Sequence, residues 1–221
     1  MDLSGNLLMN MIVKVNLFKL HHQYMVMTFD NEKKMALQKP DKSSAGSIDT
    51  AIQPVCTLLN ASQNYYTTSS CSGRIVIMSE SGIHDKHAAQ WLLVSHQPVD
   101  VTTILELSFP DTEIWFREEG MILHVACRTY EDAFQLVHTA QKTGLKRSGV
   151  ISSANKIIVE ILDTEKLELP IGINGKLVVS SQYLELIVEK ANTKLKRTRK
   201  KIKHLKKNIK ILLTSNPLDA P

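Results

Sequence analysis

The stretch MILHVACRTYEDAFQLVHTAQKTG, residues 121–144, decides the class of fold. Met121 to Cys127 is an apolar, strand-like run. Thr129 and Asp132 then make a capping-box-like start, in which a hydroxyl and a carboxylate three residues apart satisfy the unbonded amides of a helix end. Ala133, Phe134, Val137 and Ala140 recur at helical spacing, and Gly144 stands where a left-handed residue closes a helix. Strands at Gly149 to Ile151 and Lys156 to Leu162 come next, joined as a hairpin through Ser152 to Asn155.

The flanking chain repeats this vocabulary. Upstream, Pro40 closes any helix begun at Asn31. Ile48, Ile52, Val55, Cys56 and Leu59 predict a second helix, with Ser47 as N-cap and Asp49 in the first turn. Asn60 to Ser72 reads as a turn-rich loop. Strands are expected at Ile75 to Met78, Trp91 to Ser95, Ile104 to Ser108 and Ile114 to Phe116. Ser72-Gly73 and Ser148-Gly149 each come after a helix and precede a strand pair, a weak repeat that leaves internal duplication open. The order predicts an α+β fold, a two-layer sandwich of helices on a mixed or largely antiparallel sheet. The expected organisation is an N-terminal extension over 1–27, a catalytic α+β domain over 28–180, and a long helix over 181–221 packed on it.

That last helix has the most regular pattern in the chain. Leu184, Ile187, Ala191, Leu195, Thr198, Ile202, Leu205, Ile209 and Leu212 form one stripe at alternating spacings of three and four, and Asn216-Pro217 ends it. The other faces carry Lys194, Lys196, Arg197, Arg199, Lys200, Lys201, Lys203, Lys206, Lys207 and Lys210, with no carboxylate among them. Such one-signed charge weakens a helix unless a polyanion offsets it, and a phosphate backbone does so. A docking helix and a basic helix on a membrane surface are the competing readings. The absence of Trp and Phe from the stripe counts against the membrane.

Composition sets outer bounds. The 221 residues are 43% apolar, with a net charge of +5, enough for one sizeable core. Three cysteines, Cys56, Cys71 and Cys127, have no paired spacing, which argues against a disulfide framework and fits a reducing, cytoplasmic setting. His84, His87 and His96 match no zinc spacing, and no metal is expected. The glycine-rich loop of dinucleotide and adenosylmethionine Rossmann domains is missing, as are the P-loop and the nucleophile elbow.

The polar run Tyr65 to Arg74 is the leading candidate for chemistry. Small hydroxyls beside Gly73 let backbone amides approach a ligand, and Arg74 offers a fork for a carboxylate or phosphate. Cys71 reads as a packing residue, since nothing assigns it a base. His124 alternates with apolar neighbours and faces either a cleft or the core.

Several blocks converge on a known family. DKSSAGSID, residues 41–49, resembles its D-x-S-x-x-G-S-x-D signature, and YTTSSCSGRI, residues 66–75, resembles its most distinctive one. Trp91 to His96, Leu123-His124-Val125, Lys146 to Ile151 and Val159 to Pro170 come in the family's order. By these motifs the chain resembles the wybutosine-synthesising tRNA methyltransferases, over about Phe29 to Leu195. Ala126 departs from the pattern, where a polar or basic residue is expected.

The resemblance implies S-adenosylmethionine as donor, tRNA as partner, and a ring nitrogen of a tricyclic demethylwyosine base as acceptor. Under it, Asp41 or Asp49 is the proton acceptor, and Arg74 and His124 complete the catalytic set. Ser69, Ser70, Ser72 and Gly73 line the donor's loop, with Ser148 and Gly149 opposite. Arg147, Lys196, Arg199, Lys200, Lys203 and Lys207 meet phosphates. A nonenzymatic RNA-binding protein is the alternative, distinguished by indifference to S-adenosylmethionine.

Overall fold

A computed structural model describes residues 28–38, 49–80 and 89–215 of the chain. Asp41, Ser47, His84, His87, Asn216-Pro217 and the expected extension over 1–27 lie outside the described residues. Residues 28–38 form helix α1, in a unit of its own that ends at Pro40. All the other elements belong to the second unit.

Two antiparallel sheets make up its β layer. The first has the order β1-β5-β7-β6, from Tyr65–Cys71, Ile122–Cys127, Ile157–Leu162 and Gly149–Ser152. The second has the order β3-β2-β4-β8-β9, from Gln90–Ser95, Arg74–Glu80, Glu113–Glu119, Lys166–Ile173 and Lys176–Leu177. Helices α2 (Gln53–Ala61), α4 (Tyr130–Lys142) and α5 (Ser181–Thr214) complete the unit with the short α3 (Val101–Leu105). This is the expected α+β class, with every described strand pairing antiparallel and the strands divided between two sheets. The repeated order of helix and strands is distributed unequally. β1 and β2 enter different sheets, whereas β6 and β7 pair with each other.

Helix α5 joins the two cores. Its first half sets Leu184, Ile187, Ala191 and Leu195 against Ile75, Ile77, Ile114 and Phe116 of the second sheet. Its second half sets Ile202, Leu205 and Ile209 against Leu123, Val125, Val159 and Ile161 of the first sheet, with Leu59 of α2 and Leu136 of α4. At about 1.5 Å per residue the helix is about 50 Å long, enough to cross both sheets. The alternating stripe read from the sequence is its buried face. Where the helix passes between the cores the stripe turns polar: Thr198 Oγ1 donates to Asp163 Oδ2 at 2.7 Å.

The local signals in 121–144 hold. Thr129 and Asp132 form a reciprocal capping box on α4, and Gly144 has φ +98°. Three expectations change. The segment read as a turn-rich loop contains β1, because Tyr65 to Cys71 pairs along β5. Its Tyr and Thr residues favour a pleated surface once a partner strand is supplied. The strand expected over Ile104 to Ser108 does not form: Ile104 and Leu105 end the single-turn helix α3, and the chain leaves it without pairing. Asn192 of α5 holds the backbone before α3, donating to the Val99 carbonyl at 2.8 Å and accepting from its amide at 3.0 Å, and Ile104 enters the core. Finally, α2 begins at Gln53, so Asp49 precedes its first turn.

Candidate active site

The β1–β2 junction carries the chain from one sheet to the other, and the polar residues gather around it. Gly73 turns the corner at φ +92°. A Cβ placed there would lie 2.9 Å from the Glu119 carbonyl oxygen and 3.3 Å from Thr198 Cγ2. Both backbone conformation and close approach therefore demand glycine. Gly73→Ala is expected to lower stability by at least about 2 kcal/mol, read from the urea midpoint. An unchanged midpoint would show that the corner relaxes freely.

Three distant segments lock this corner. The Asp49 carboxylate accepts from the Ser72 amide at 3.2 Å, from the Ser72 hydroxyl, and from the Ala51 amide at 3.2 Å. Nδ1 of His96 lies 3.0 Å from Asp49 Oδ2 and 3.1 Å from the Gly73 carbonyl. Both neighbours are acceptors, so the proton resides on Nδ1. Arg199 of α5 donates to the Ser72 carbonyl at 2.5 Å and to the His96 carbonyl. Burial lowers its guanidinium pKa, opposed by the charge of Asp49. Burial also raises the Cys71 thiol, whose sulfur lies 4.0 Å from His96 Nδ1. That favours the thiol over a nucleophilic thiolate and agrees with a packing role.

Arg74 leaves the corner on β2. Its Nε donates to Glu119 at 2.6 Å, and its guanidinium lies over the Trp91 ring at 4.8 Å from the centroid. The indole is half exposed, so the pair presents a flat charged surface beside the turn.

A second polar group lies on the same strand. Ser69, His124 and Glu160 occupy one row across β1, β5 and β7, and Gly149 of β6 stands opposite Glu160. Ser69 Oγ lies 2.8 Å from His124 Nδ1, and His124 Nε2 lies 3.0 Å from Glu160 Oε2. The flanking Leu123, Val125, Val159 and Ile161 all point into the core, which places the row on the opposite face. Among the described residues, nothing lies within 4 Å of where a Cβ on Gly149 would stand.

The structure thus sorts the residues singled out in the sequence. Ser69, Ser72, Gly73, Arg74 and His124 come together along β1 and its corner, with Asp49 at the corner. Ser70 sits half-buried on β1 between Ser69 and Cys71. Ser148 is buried and fully engaged: its hydroxyl donates to Leu145 at 2.9 Å and accepts from the Leu162 amide at 3.2 Å. Arg147 is exposed in the turn before β6. Lys196, Lys200, Lys203 and Lys207 are exposed on α5, as are Arg197, Lys206 and Lys210. Arg199 is held at the corner instead of facing solvent. Lys194 and Lys201 face the other way, pairing with Glu165 at 2.9 Å and Asp163 at 2.6 Å.

Sequence reasoning passed over Glu160, Glu119 and the corner role of His96. Glu160 had a signal, since it alternates between Val159 and Ile161 as His124 does between Leu123 and Val125. Arg199 had none and His96 only its place in the block Trp91 to His96, because their partners are far away in the chain.

Comparison with known proteins gives one answer. The family described as Methyltransferase TYW3 matches residues 31–211. A Thermococcus sibiricus protein is 39% identical over 188 residues, covering 83% of this chain and 95% of its own length. It is named tRNA(Phe) 7-((3-amino-3-carboxypropyl)-4-demethylwyosine(37)-N(4))-methyltransferase. The tRNA wybutosine-synthesizing protein 3 homolog of Xenopus laevis is 37% identical over 79% of this chain and 71% of its own. Among solved structures, the PH1069 protein from Pyrococcus horikoshii superposes with a TM-score of 0.76 at 37% identity, covering 84% of this chain and 97% of that one.

Proposed function

The chain belongs to the TYW3 methyltransferase family, and from that premise we propose that it moves a methyl group from S-adenosylmethionine to N4 of the demethylwyosine base in phenylalanine tRNA. The observation that carries this reading is the locked corner between β1 and β2. It lies within the matched residues and brings Asp49, Ser72, His96 and Arg199 together beside Arg74.

The corner fits the donor chemically. S-adenosylmethionine presents an amino-acid carboxylate, an ammonium, a sulfonium and a flat adenine. Arg74 suits the carboxylate, Glu119 the ammonium, and the exposed Trp91 ring the adenine. Gly73 makes the turn from which Arg74 reaches the Trp91 ring. The bound donor supplies an already activated methyl group. The chain's own part is to hold acceptor and donor in line and to keep water out. Ser69 and Gly149 border this space, Ser70 turns to the other face of β1 with its pair partner Leu123, and Ser72 and Ser148 hold backbone in place beneath it.

The exposed face of α5 is assigned to the tRNA backbone. At about 100° per residue, Lys196, Lys203, Lys206 and Lys210 project within about 60° of Arg199, and so toward the side of the corner. Contacts of this kind set position and affinity without reading bases. Among the described residues no helix is long and apolar enough to cross a membrane, and the cytoplasm, where tRNA is modified and thiols stay reduced, is the compartment this reading requires.

The direct experiment is transfer from labelled S-adenosylmethionine to phenylalanine tRNA bearing the demethylated base, with unmodified tRNA as control. Label on the modified tRNA alone is the expected result. Binding of tRNA without transfer would favour a nonenzymatic RNA-binding protein. In the same assay, changing Lys203, Lys206 and Lys210 together to Glu should weaken tRNA binding about 100-fold or more and flatten its salt dependence. Unchanged affinity at every salt concentration would remove α5 from the interface.

A further inference from the structure

The geometry points to a proton relay on the open face of the first sheet, with Ser69 and His124 as catalytic residues and Glu160 as the residue that positions His124. This inference rests on the proposed methyl transfer to N4. It concerns a requirement that donor chemistry does not meet: a ring nitrogen bearing hydrogen must lose that proton as it gains the methyl group.

Asp49 is badly placed for the task. Its carboxylate already accepts from two amides and a hydroxyl, faces His96, and is only 10% exposed. The row on β1, β5 and β7 has the opposite character. Ser69 is exposed at its end, and two hydrogen bonds of 2.8 Å and 3.0 Å join it through His124 to Glu160.

The partners fix the tautomer. An ionised Glu160 only accepts, so His124 Nε2 carries the hydrogen. Nδ1 is then a lone pair aimed at the Ser69 hydroxyl, which donates to it. This leaves the lone pairs of Ser69 Oγ turned outward to receive a proton. Ser69 and Cys71 share a face of β1 about 7 Å apart, so the relay adjoins the corner assigned to the donor. No described residue crowds Gly149 at the far end, where a tricyclic base would lie across the row.

The step balances. The nitrogen lone pair forms the new bond to the methyl carbon as the carbon–sulfur bond breaks, and the sulfonium leaves as a neutral thioether. The nitrogen's proton passes to Ser69 Oγ, and the serine's own proton passes to His124 Nδ1. The positive charge lost by sulfur ends on the imidazolium, beside the Glu160 carboxylate that stabilises it.

The test is single-turnover methyl transfer to tRNA bearing the demethylated base. His124→Gln keeps the size and polarity of the side chain and cannot take the proton. It should slow transfer about 100-fold or more, with tRNA affinity within about twofold of wild type. Exogenous imidazole should restore transfer in His124→Ala. Glu160→Gln should lower kcat about tenfold at unchanged KM for tRNA, and Glu160→Asp should recover part of that loss. Wild-type turnover in His124→Gln would overturn the relay alone. A wild-type protein that binds this tRNA and transfers nothing would overturn the relay together with the proposed methyl transfer.

Discussion

Arg199→Ala is expected to slow methyl transfer about 100-fold, although Arg199 sits on the helix whose exposed lysines are proposed to meet tRNA. Its guanidinium spans two strand ends, donating to the carbonyls of Ser72 and His96. Those carbonyls belong to segments that leave the second sheet at the same edge, through β2 and β3. Without the fork, both carbonyls lose a charged donor in a half-buried place, a cost of about 1.5–3 kcal/mol each. The corner at Gly73 then loses its fixed relation to α5. A displacement of about 1 Å in a site that works by alignment is enough for the predicted loss. Arg199→Lys should recover little of it, since a point charge cannot bridge two carbonyls in one plane. Single-turnover rates at saturating tRNA check this. If the alanine variant instead loses tRNA affinity and keeps its rate, Arg199 is a phosphate contact after all.

Glu118→Gln is expected to abolish a pH dependence of stability worth about 2.5 kcal/mol between pH 5 and pH 8. Glu118 is fully buried beneath α5, and neither carboxylate oxygen has a hydrogen-bond partner among the described residues. Burial raises its pKa from 4.5 to about 7; Lys194 opposes the shift, while the nearby Glu165, Asp163 and Glu119 add to it. The folded protein therefore holds this proton more tightly than the unfolded chain. Below about pH 4.5 the carboxyl is neutral in both states and costs nothing extra. As pH rises toward 7 the unfolded chain ionises while the folded one resists, and stability falls. Glutamine does not titrate, so the urea-derived stabilities of variant and wild type should diverge in the variant's favour toward alkaline pH. Subtracting the two curves cancels the groups they share. A difference that stays flat across this range would mean that Glu118 is solvated or paired.

These two residues show where reading the sequence stops. The capping box at Thr129 and Asp132, the closing Gly144 and the stripe from Leu184 to Leu212 depend on residues within a few positions of one another. The chain determines them wherever it folds. Hydrophobic alternation likewise marked β5 and β7, and the missing glycine-rich loop excluded the Rossmann class. The resemblance in residues 66–75, together with the later Ser148-Gly149 block in the same order, named the reaction.

β1 was not legible, because a run of Tyr, Thr and Ser favours a strand or a loop almost equally until β5 lies beside it. Arg199 was one basic residue among ten with the same local surroundings. Its partners Ser72 and His96 lie 127 and 103 residues away. Glu118 looked like any charged strand residue until α5 covered it. Periodicity, capping and motif are short-range properties, and through them the chain itself dictated the longer helices, most of the strands and the chemistry. Three outcomes waited for tertiary contact: which lysines are spent on Asp163 and Glu165, which arginine locks the corner, and the alignment of Ser69, His124 and Glu160 in one row. They depend on strand register and helix crossing, which are fixed only when both cores close around α5.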